Sequence, residues 1–254
     1  MRKYVALIVL TVLVAVGSAR AGDPTLRLRN RYYRPALVEV YTTAACPSCE
    51  RTESWLHSLT KEPLLWMRFV PVAFHVIHSP EAKGADPYAL VQFAARQTEL
   101  VRYLGTGKPY TPMFVLDGFE DKTWHKYGSV RVEDPEKVGD FSLELDRRQA
   151  TMRFVPDFDP GSETLVVHAA VMGCSMEPAE TSEVPEYNFV ALGLTEGRLE
   201  RQEDGAYLGE MSLAPRLPYA PERLALAAWI TLPDDPMPLH VVGGWVTGEA
   251  GDWL

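Results

Sequence analysis

Residues 36–49 read Ala36-Leu37-Val38-Glu39-Val40-Tyr41-Thr42-Thr43-Ala44-Ala45-Cys46-Pro47-Ser48-Cys49, and Glu50–Leu59 follows directly. Ala36–Tyr41 is apolar and β-prone apart from Glu39, so it reads as a buried strand. Thr42–Ala45 is a short loop and Glu50–Leu59 a helix. Cys49, Thr52, Leu56 and Leu59 recur at three- and four-residue intervals, the stripe of a buried helix face. Cys49 is therefore expected to point inward and Cys46 to stand at the exposed tip. A helix N-terminus carries unpaired N–H groups and partial positive charge, which favours a thiolate. Pro47 suits the first helical position, where its missing donor costs nothing. This C-x-x-C setting predicts disulfide exchange, with Cys46 attacking and Cys49 resolving. The alternative is a structural disulfide. A four-cysteine zinc site is excluded, because the chain has three cysteines and neither a second C-x-x-C nor an H-x-x-x-H.

The N-terminus carries a targeting pattern. Arg2 and Lys3 precede an apolar run from Val5 to Val16, and Ser18-Ala19-Arg20-Ala21 supplies the small residues of a cleavage site. Residues 1–21 are thus expected to be a signal peptide cleaved after Ala21, making the protein exported, periplasmic or secreted; an uncleaved anchor is the alternative. The run is short for a hydrocarbon core of ~30 Å, which takes about 20 residues, and no later stretch is long and apolar enough to span. Cleavage would leave 22 basic and 34 acidic residues, a net charge of −12. That balance argues against nucleic acid and anionic membrane surfaces as partners. An oxidising compartment would let the cysteine pair rest as a disulfide, so it suits an oxidant, an isomerase or a static crosslink.

The 254 residues, 46% hydrophobic and 23% charged, suffice for one large domain or two ordinary ones. After the C-x-x-C helix, Arg68–Phe74 reads as a second strand, with Pro71 arguing against a central position. Tyr88–Leu104 places Leu90, Phe93, Ala94, Val101 and Leu104 on one helical face and stops at Gly105. Met113–Leu116 is a short strand ending in an Asp117-Gly118 turn. A last helix is expected from Asp134-Pro135, with Val138, Phe141 and Leu145 as its stripe. From about Thr151 the pattern becomes strands at 164–172, 187–194, 206–213, 223–232 and 239–246, separated by Pro-, Gly- and acid-rich loops. The expected organisation is an α/β domain over residues 34–150 followed by an all-β sandwich-like domain over 151–254.

Four motifs in order, Val38–Cys49, Ala73-Phe74-His75-Val76, Asp86-Pro87-Tyr88-Ala89 and Tyr110-Thr111-Pro112, resemble exported bacterial thioredoxin-like proteins. The likeness is nearest to a family whose function is unknown, and it covers roughly residues 35–150. It implies a thioredoxin-like α/β domain, a β-rich C-terminal domain and a disulfide-exchange centre with no dissociable cofactor. It also implies a cis bond at Thr111-Pro112, which together would hold the main chain of a bound protein substrate. Glu39 matches a strand acid in such proteins. Alternation sets it opposite Val38 and Val40, so it is expected beneath the helix of Cys49, positioned to take a proton from that thiol. A solvated Glu39 at a strand edge is the alternative.

Two rival functions remain open at the level of sequence. Cys46 and Cys49 with His75 or His78 form a set that suits copper, and Met172, Cys174 and Met176 would share one face of an extended strand. The second rival is a binding protein in which Cys46–Cys49 merely staples the helix start. Cys174, the odd cysteine, is either a buried inert thiol or half of an intermolecular bridge. There is no G-x-S-x-G, H-E-x-x-H, phosphate loop or G-x-G-x-x-G after a strand.

Overall fold

The computed structural model describes residues 26–44, 46–77, 86–124, 130, 136–178, 184–216 and 221–246. The expected signal segment and its cleavage site, His78 and the expected helix start at Asp134-Pro135 lie outside the described residues. Strand β1 (Leu26–Tyr33) leads into β2 (Ala36–Thr42), helix α1 (Glu50–Leu59), β3 (Phe69–His75), helix α2 (Val91–Leu104), β4 (Met113–Leu116) and β5 (Phe119–Glu120). Then come β6 (Lys137–Asp146), β7 (Gln149–Pro156), β8 (Thr164–Cys174), β9 (Val190–Arg201), β10 (Tyr207–Ser212), β11 (Arg223–Thr231) and β12 (Pro238–Trp245). No helix among the described residues is long and apolar enough to cross a membrane.

The elements that frame the cysteines follow from local sequence. Every residue of β2 and of β3 is buried, and the two strands pair in parallel. Helix α1 buries Thr52, Leu56 and Leu59 along the predicted stripe, with Cys49 buried just before it, and adds Glu53 to that face. Helix α2 ends at Gly105, whose φ of 64° is left-handed and lets its N–H fold back to the Arg102 carbonyl. Asp117 and Gly118, at φ 50° and 85°, form the turn between β4 and β5.

Pro71 sits inside the sheet after all. Ala73 donates its N–H to the Phe189 carbonyl on the β9 side, and in-plane alternation puts Pro71 on that same side. There β3 and β9 meet at the single bridge Ala73↔Val190, so the donor Pro71 lacks has no ladder partner to lose.

An α/β thioredoxin-like domain followed by an all-β sandwich-like domain is not the architecture found. The twelve strands form one mixed sheet in the order β1-β6-β7-β10-β9-β3-β2-β4-β5, with β8 joined to β9, β11 to β8 and β12 to β11. The described helices are two, of 10 and 14 residues. The helix expected over Val138, Phe141 and Leu145 is strand β6, antiparallel to β7 on one side and β1 on the other. Its burial alternates, with Phe141, Leu143 and Leu145 inward and Glu144 and Asp146 outward. Positions 138, 141 and 145 fit a helical stripe only if Leu143 is ignored; Phe141, Leu143 and Leu145 keep period two, and Val138 falls out of phase beside Gly139, at φ 115°. Strand β1, absent from the sequence reading, shows the same period, with Leu26 and Leu28 buried and Arg27 and Arg29 facing outward. Residue 150 lies within β7, whose hairpin partner is β6.

Two apolar clusters flank strands β8 and β11. Leu224, Leu226, Ala228 and Ile230 of β11 pack with residues of β1, β6, β7, β8, β9 and β10. The intervening Ala225, Ala227 and Trp229 pack with residues of α1, α2, β2, β3 and β4. Both faces are covered, so β11 reads as a nearly continuous apolar run. Each large aliphatic side chain buried in this way contributes about 1.5–3 kcal/mol.

Candidate functional site: a cysteine turn above a buried acid cluster

The loop after β2 turns sharply into α1. Cys46 donates its N–H to the Thr43 carbonyl at 3.2 Å, and Cys49 returns its own to the Cys46 carbonyl at 2.9 Å, closing a 3-10 turn over Pro47–Cys49. Cys46 and Cys49 form a disulfide. Cys49 is 1% exposed, whereas Cys46 is half-buried and Pro47 and Ser48 are open to solvent. The Ser48 hydroxyl lies 3.0 Å from Cys46 Sγ and, with that sulfur oxidised, is the donor. Across from the turn, the Thr111 carbonyl oxygen stands 3.9 Å from Cys46 Sγ, and the Thr111-Pro112 bond is cis. The fold thus brings Cys46, Cys49, Thr111 and Pro112, separated by more than sixty residues of chain, to one place.

Beneath the turn lies a cluster of buried polar groups. Glu53, four residues after Cys49 and on the same helix face, is 3% exposed. Its Oε1 accepts a 2.6 Å hydrogen bond from the Thr42 hydroxyl and lies 4.0 Å from His75 Nε2. His75 Nδ1 meets Asp86 Oδ2 at 2.8 Å. Asp86 also accepts the N–H of Ala44 at 2.7 Å and that of Tyr88 at 3.0 Å, so it ties the cysteine loop to the entry of α2. The rings of Tyr88 and Tyr187 flank His75 at 5.6 and 5.3 Å between centroids.

The charges in this cluster sort themselves. Burial works against ionisation of Asp86, but His75 beside it and two backbone N–H groups prevail and hold its carboxyl at about 2. Burial likewise opposes charge on His75; Asp86 outweighs it and raises the imidazole above its ordinary value. Glu53 goes the other way: burial raises its pKa, and His75 and the Thr42 hydroxyl only partly offset this. His75 and Asp86 thus favour each other's charged form, and Glu53 is the member that burial pushes toward its protonated form. Two atoms of the cluster, Glu53 Oε2 and His75 Nε2, are buried with no hydrogen-bond partner among the described residues.

Glu39 is elsewhere. On β2, Thr42 faces α1 whereas Glu39 and Tyr41 face the opposite side, toward α2. The Glu39 carboxylate receives Arg96 Nε at 2.8 Å and Nη2 at 3.0 Å, and the Tyr41 hydroxyl at 2.9 Å. Arg96 is held between the rings of Phe74 and Trp229, at 6.0 and 5.0 Å from their centroids. Burial lowers the Arg96 pKa, yet Glu39 more than restores it and the guanidinium stays charged. The carboxylate predicted to lie under Cys49 is therefore on the far face of the sheet. On the α1 side of β2 the buried acids are Glu53 and, behind His75, Asp86. The signal for Glu53 was present, since it follows Cys49 by four and precedes Leu56 by three.

The remaining sulfurs do not converge. Met172 and Cys174 belong to the cluster under the helices, while Met176 packs in the other one. Ser175, at φ 52°, breaks the strand alternation between them, and Met176 folds over Gly173. Cys174 is 2% exposed, accepts the Phe189 N–H at 3.3 Å, and burial pushes its thiol up to about 12. That is an inert core thiol, inaccessible to a second molecule. His75, the described histidine of the copper set, is engaged with Asp86. Among the described residues no group of three or more His, Cys, Asp or Glu side chains is arranged to hold a metal ion.

A family described as "Protein of unknown function (DUF1223)" matches residues 37–186, which includes the cysteine turn, Glu53, His75, Asp86 and the Thr111-Pro112 loop. The chain belongs to the DUF1223 family. No curated protein matches it. Among solved structures, HBP35 of Porphyromonas gingivalis is similar at a TM-score of 0.60 and 13% identity, over 86% of this chain and 77% of that one. Protein AGR_C_4864 from Agrobacterium tumefaciens is similar at 0.56 and 15% identity, over 87% of this DUF1223 chain and 97% of its own. At these identities the likeness is one of fold.

Proposed function

We propose that this protein exchanges disulfides with protein substrates through Cys46 and Cys49. The observation that carries the reading is the asymmetry of the pair: one sulfur half-exposed at a surface turn, the other buried at the start of α1. A substrate thiolate reaches Cys46 Sγ and not Cys49 Sγ, so attack on the disulfide forms a mixed disulfide at Cys46 and releases the Cys49 sulfur. In the opposite direction the Cys46 thiolate attacks a substrate disulfide, and Cys49 then displaces the substrate sulfur. Two electrons pass between the substrate dithiol and the cysteine pair in either case. The α1 N-terminus and the Ser48 hydroxyl support the Cys46 thiolate. Thr111 and Pro112 border the Cys46 sulfur and are assigned to hold the substrate main chain. Export through the N-terminal segment would place the pair in an oxidising compartment, where exposed substrate cysteines are found.

The test is the equilibrium reduction potential of the full chain in glutathione buffers, with thiols counted by alkylation and mass. A value between roughly −120 and −230 mV supports exchange; a value below about −300 mV marks a structural crosslink and overturns the reading. Cys46→Ser should abolish exchange, and Cys49→Ser should accumulate mixed disulfides.

A further inference from the structure

The exchange reading leaves one step without a residue. When the disulfide opens, the departing Cys49 sulfur is almost wholly enclosed, and a thiolate there would be stranded in a low-dielectric site. The return reaction has the converse need, since a buried neutral thiol must lose its proton before it can displace the substrate. A proton carrier must therefore lie inside the protein, on the α1 side of β2.

Glu39 does not meet that requirement, because its carboxylate faces α2 and is engaged by Arg96 and Tyr41. Glu53 does. It sits one helical turn after Cys49 on the same buried face, and its Oε2 is buried without a hydrogen-bond partner among the described residues. Its other oxygen is fixed by the Thr42 hydroxyl of β2 at 2.6 Å. The titratable groups around it are few: His75 on β3 at 4.0 Å, and Asp86 behind His75. His75 Nε2, the second unpartnered atom, lies 4.0 Å from Glu53 Oε1.

We propose that Glu53 is the proton-transfer residue for Cys49, with His75 beside it and Asp86 behind His75 as positioning residues. The inference rests on the exchange reading. When a substrate thiolate breaks the Cys46–Cys49 bond, Glu53 gives its proton to the Cys49 sulfur and becomes a carboxylate beside the His75 imidazolium. When the reduced protein acts on a substrate disulfide, the Glu53 carboxylate takes the proton back and Cys49 attacks Cys46 Sγ as a thiolate. The electrons come from, or go to, the protein dithiol or disulfide that is the substrate. Asp86 fixes the imidazole through Nδ1 and, through the Ala44 N–H, holds the loop leading into Cys46.

The two steps can be read separately with 5,5′-dithiobis(2-nitrobenzoate) added to the reduced full chain. Attack by Cys46 releases one coloured thionitrobenzoate, and displacement by Cys49 releases the second. Glu53→Gln, which keeps shape and an oxygen for Thr42, should leave the first phase unchanged and slow the second on the order of 100-fold. The pH dependence of the second phase should flatten, while that of the first stays as in the parent. Equal slowing of both phases, or two phases and pH profiles that match the parent, would overturn the proposal. A parent protein whose Cys46 releases no thionitrobenzoate would overturn the exchange reading itself. Should Glu53→Gln fail to fold, carbon NMR of the Glu53 carboxyl in the unaltered protein decides. Its titration midpoint must differ between the disulfide and dithiol forms, and identical midpoints would overturn the assignment.

Discussion

Strand β2 carries polar groups into two buried clusters, one on each face, and they are built on opposite principles. On the α2 face Glu39 meets a bidentate Arg96 and a tyrosine hydroxyl, and the guanidinium lies over the rings of Phe74 and Trp229. On the α1 face Thr42 reaches Glu53, which carries an unpartnered oxygen 4.0 Å or more from the nearest positive group. Both carboxylates are almost fully buried, 1% and 3% exposed. Burial of an acid therefore does not by itself mark chemistry. What differs is the supply of partners: Glu39 accepts from two Arg96 nitrogens and the Tyr41 hydroxyl, whereas Glu53 Oε2 has none among the described residues.

The largest effect is expected where the saturated side is broken. Arg96→Met strands the Glu39 charge and should cost about 3–5 kcal/mol in urea unfolding. The double variant Glu39→Leu with Arg96→Met should recover most of that; if it does not, Arg96 acts through its packing on Phe74 and Trp229 and the contrast between the faces weakens.

On the other face, Asp86→Asn should cost about 2 kcal/mol near neutral pH. The Asp86 pKa is depressed in the folded state, so its contribution is present above the ordinary 3.8 and lost as pH falls through about 2. Its partner His75 is raised, so that contribution is full below 6.5 and fades as pH rises through the higher folded value. Parent and variant stabilities should converge on acidification; a constant gap would deny the ionic link.

Glu53→Gln should change stability least of the acid variants, by about 1 kcal/mol or less and in favour of the variant. The sign follows from the raised pKa of Glu53: the unfolded chain releases the proton first, so parent stability falls as pH rises from 4.5 toward the folded value. The variant should lack that fall. Cys174 supplies the smallest signal. With its thiol near 12 and enclosed, only ~10⁻⁴ is thiolate at about pH 8, so native protein should resist iodoacetamide there until denaturant is added.

Much of the site's local structure was legible. Helix α1, the inward Cys49 and the Gly105 stop follow from apolar spacing and from the conformational freedom of glycine, both local properties. Strand β6 was not legible as strand, because Val138, Phe141 and Leu145 fit a helix when Leu143 is passed over. Strand β1 hid behind three arginines, Arg27, Arg29 and Arg31, while Leu26 and Leu28 hold the core face. The acid on the correct face was missed for a different reason: alternation shows that Glu39 opposes its valine neighbours, but not which helix covers which side.

Chain connectivity dictates that Cys46 and Cys49 share one turn at a helix start, since residues three apart in a chain cannot be far apart in space. Local sequence likewise sets the strand and helix that frame them, through hydrogen bonds and apolar periods spanning a few residues. Tertiary structure alone decided that α1 lies over Thr42 and His75, that Asp86 backs the cysteine loop and that Arg96 claims Glu39. It also decided that strands from both halves of the chain join one sheet. Those outcomes depend on which apolar faces are buried together and which charges must be paired once they are, and neither is a property of any short stretch of residues.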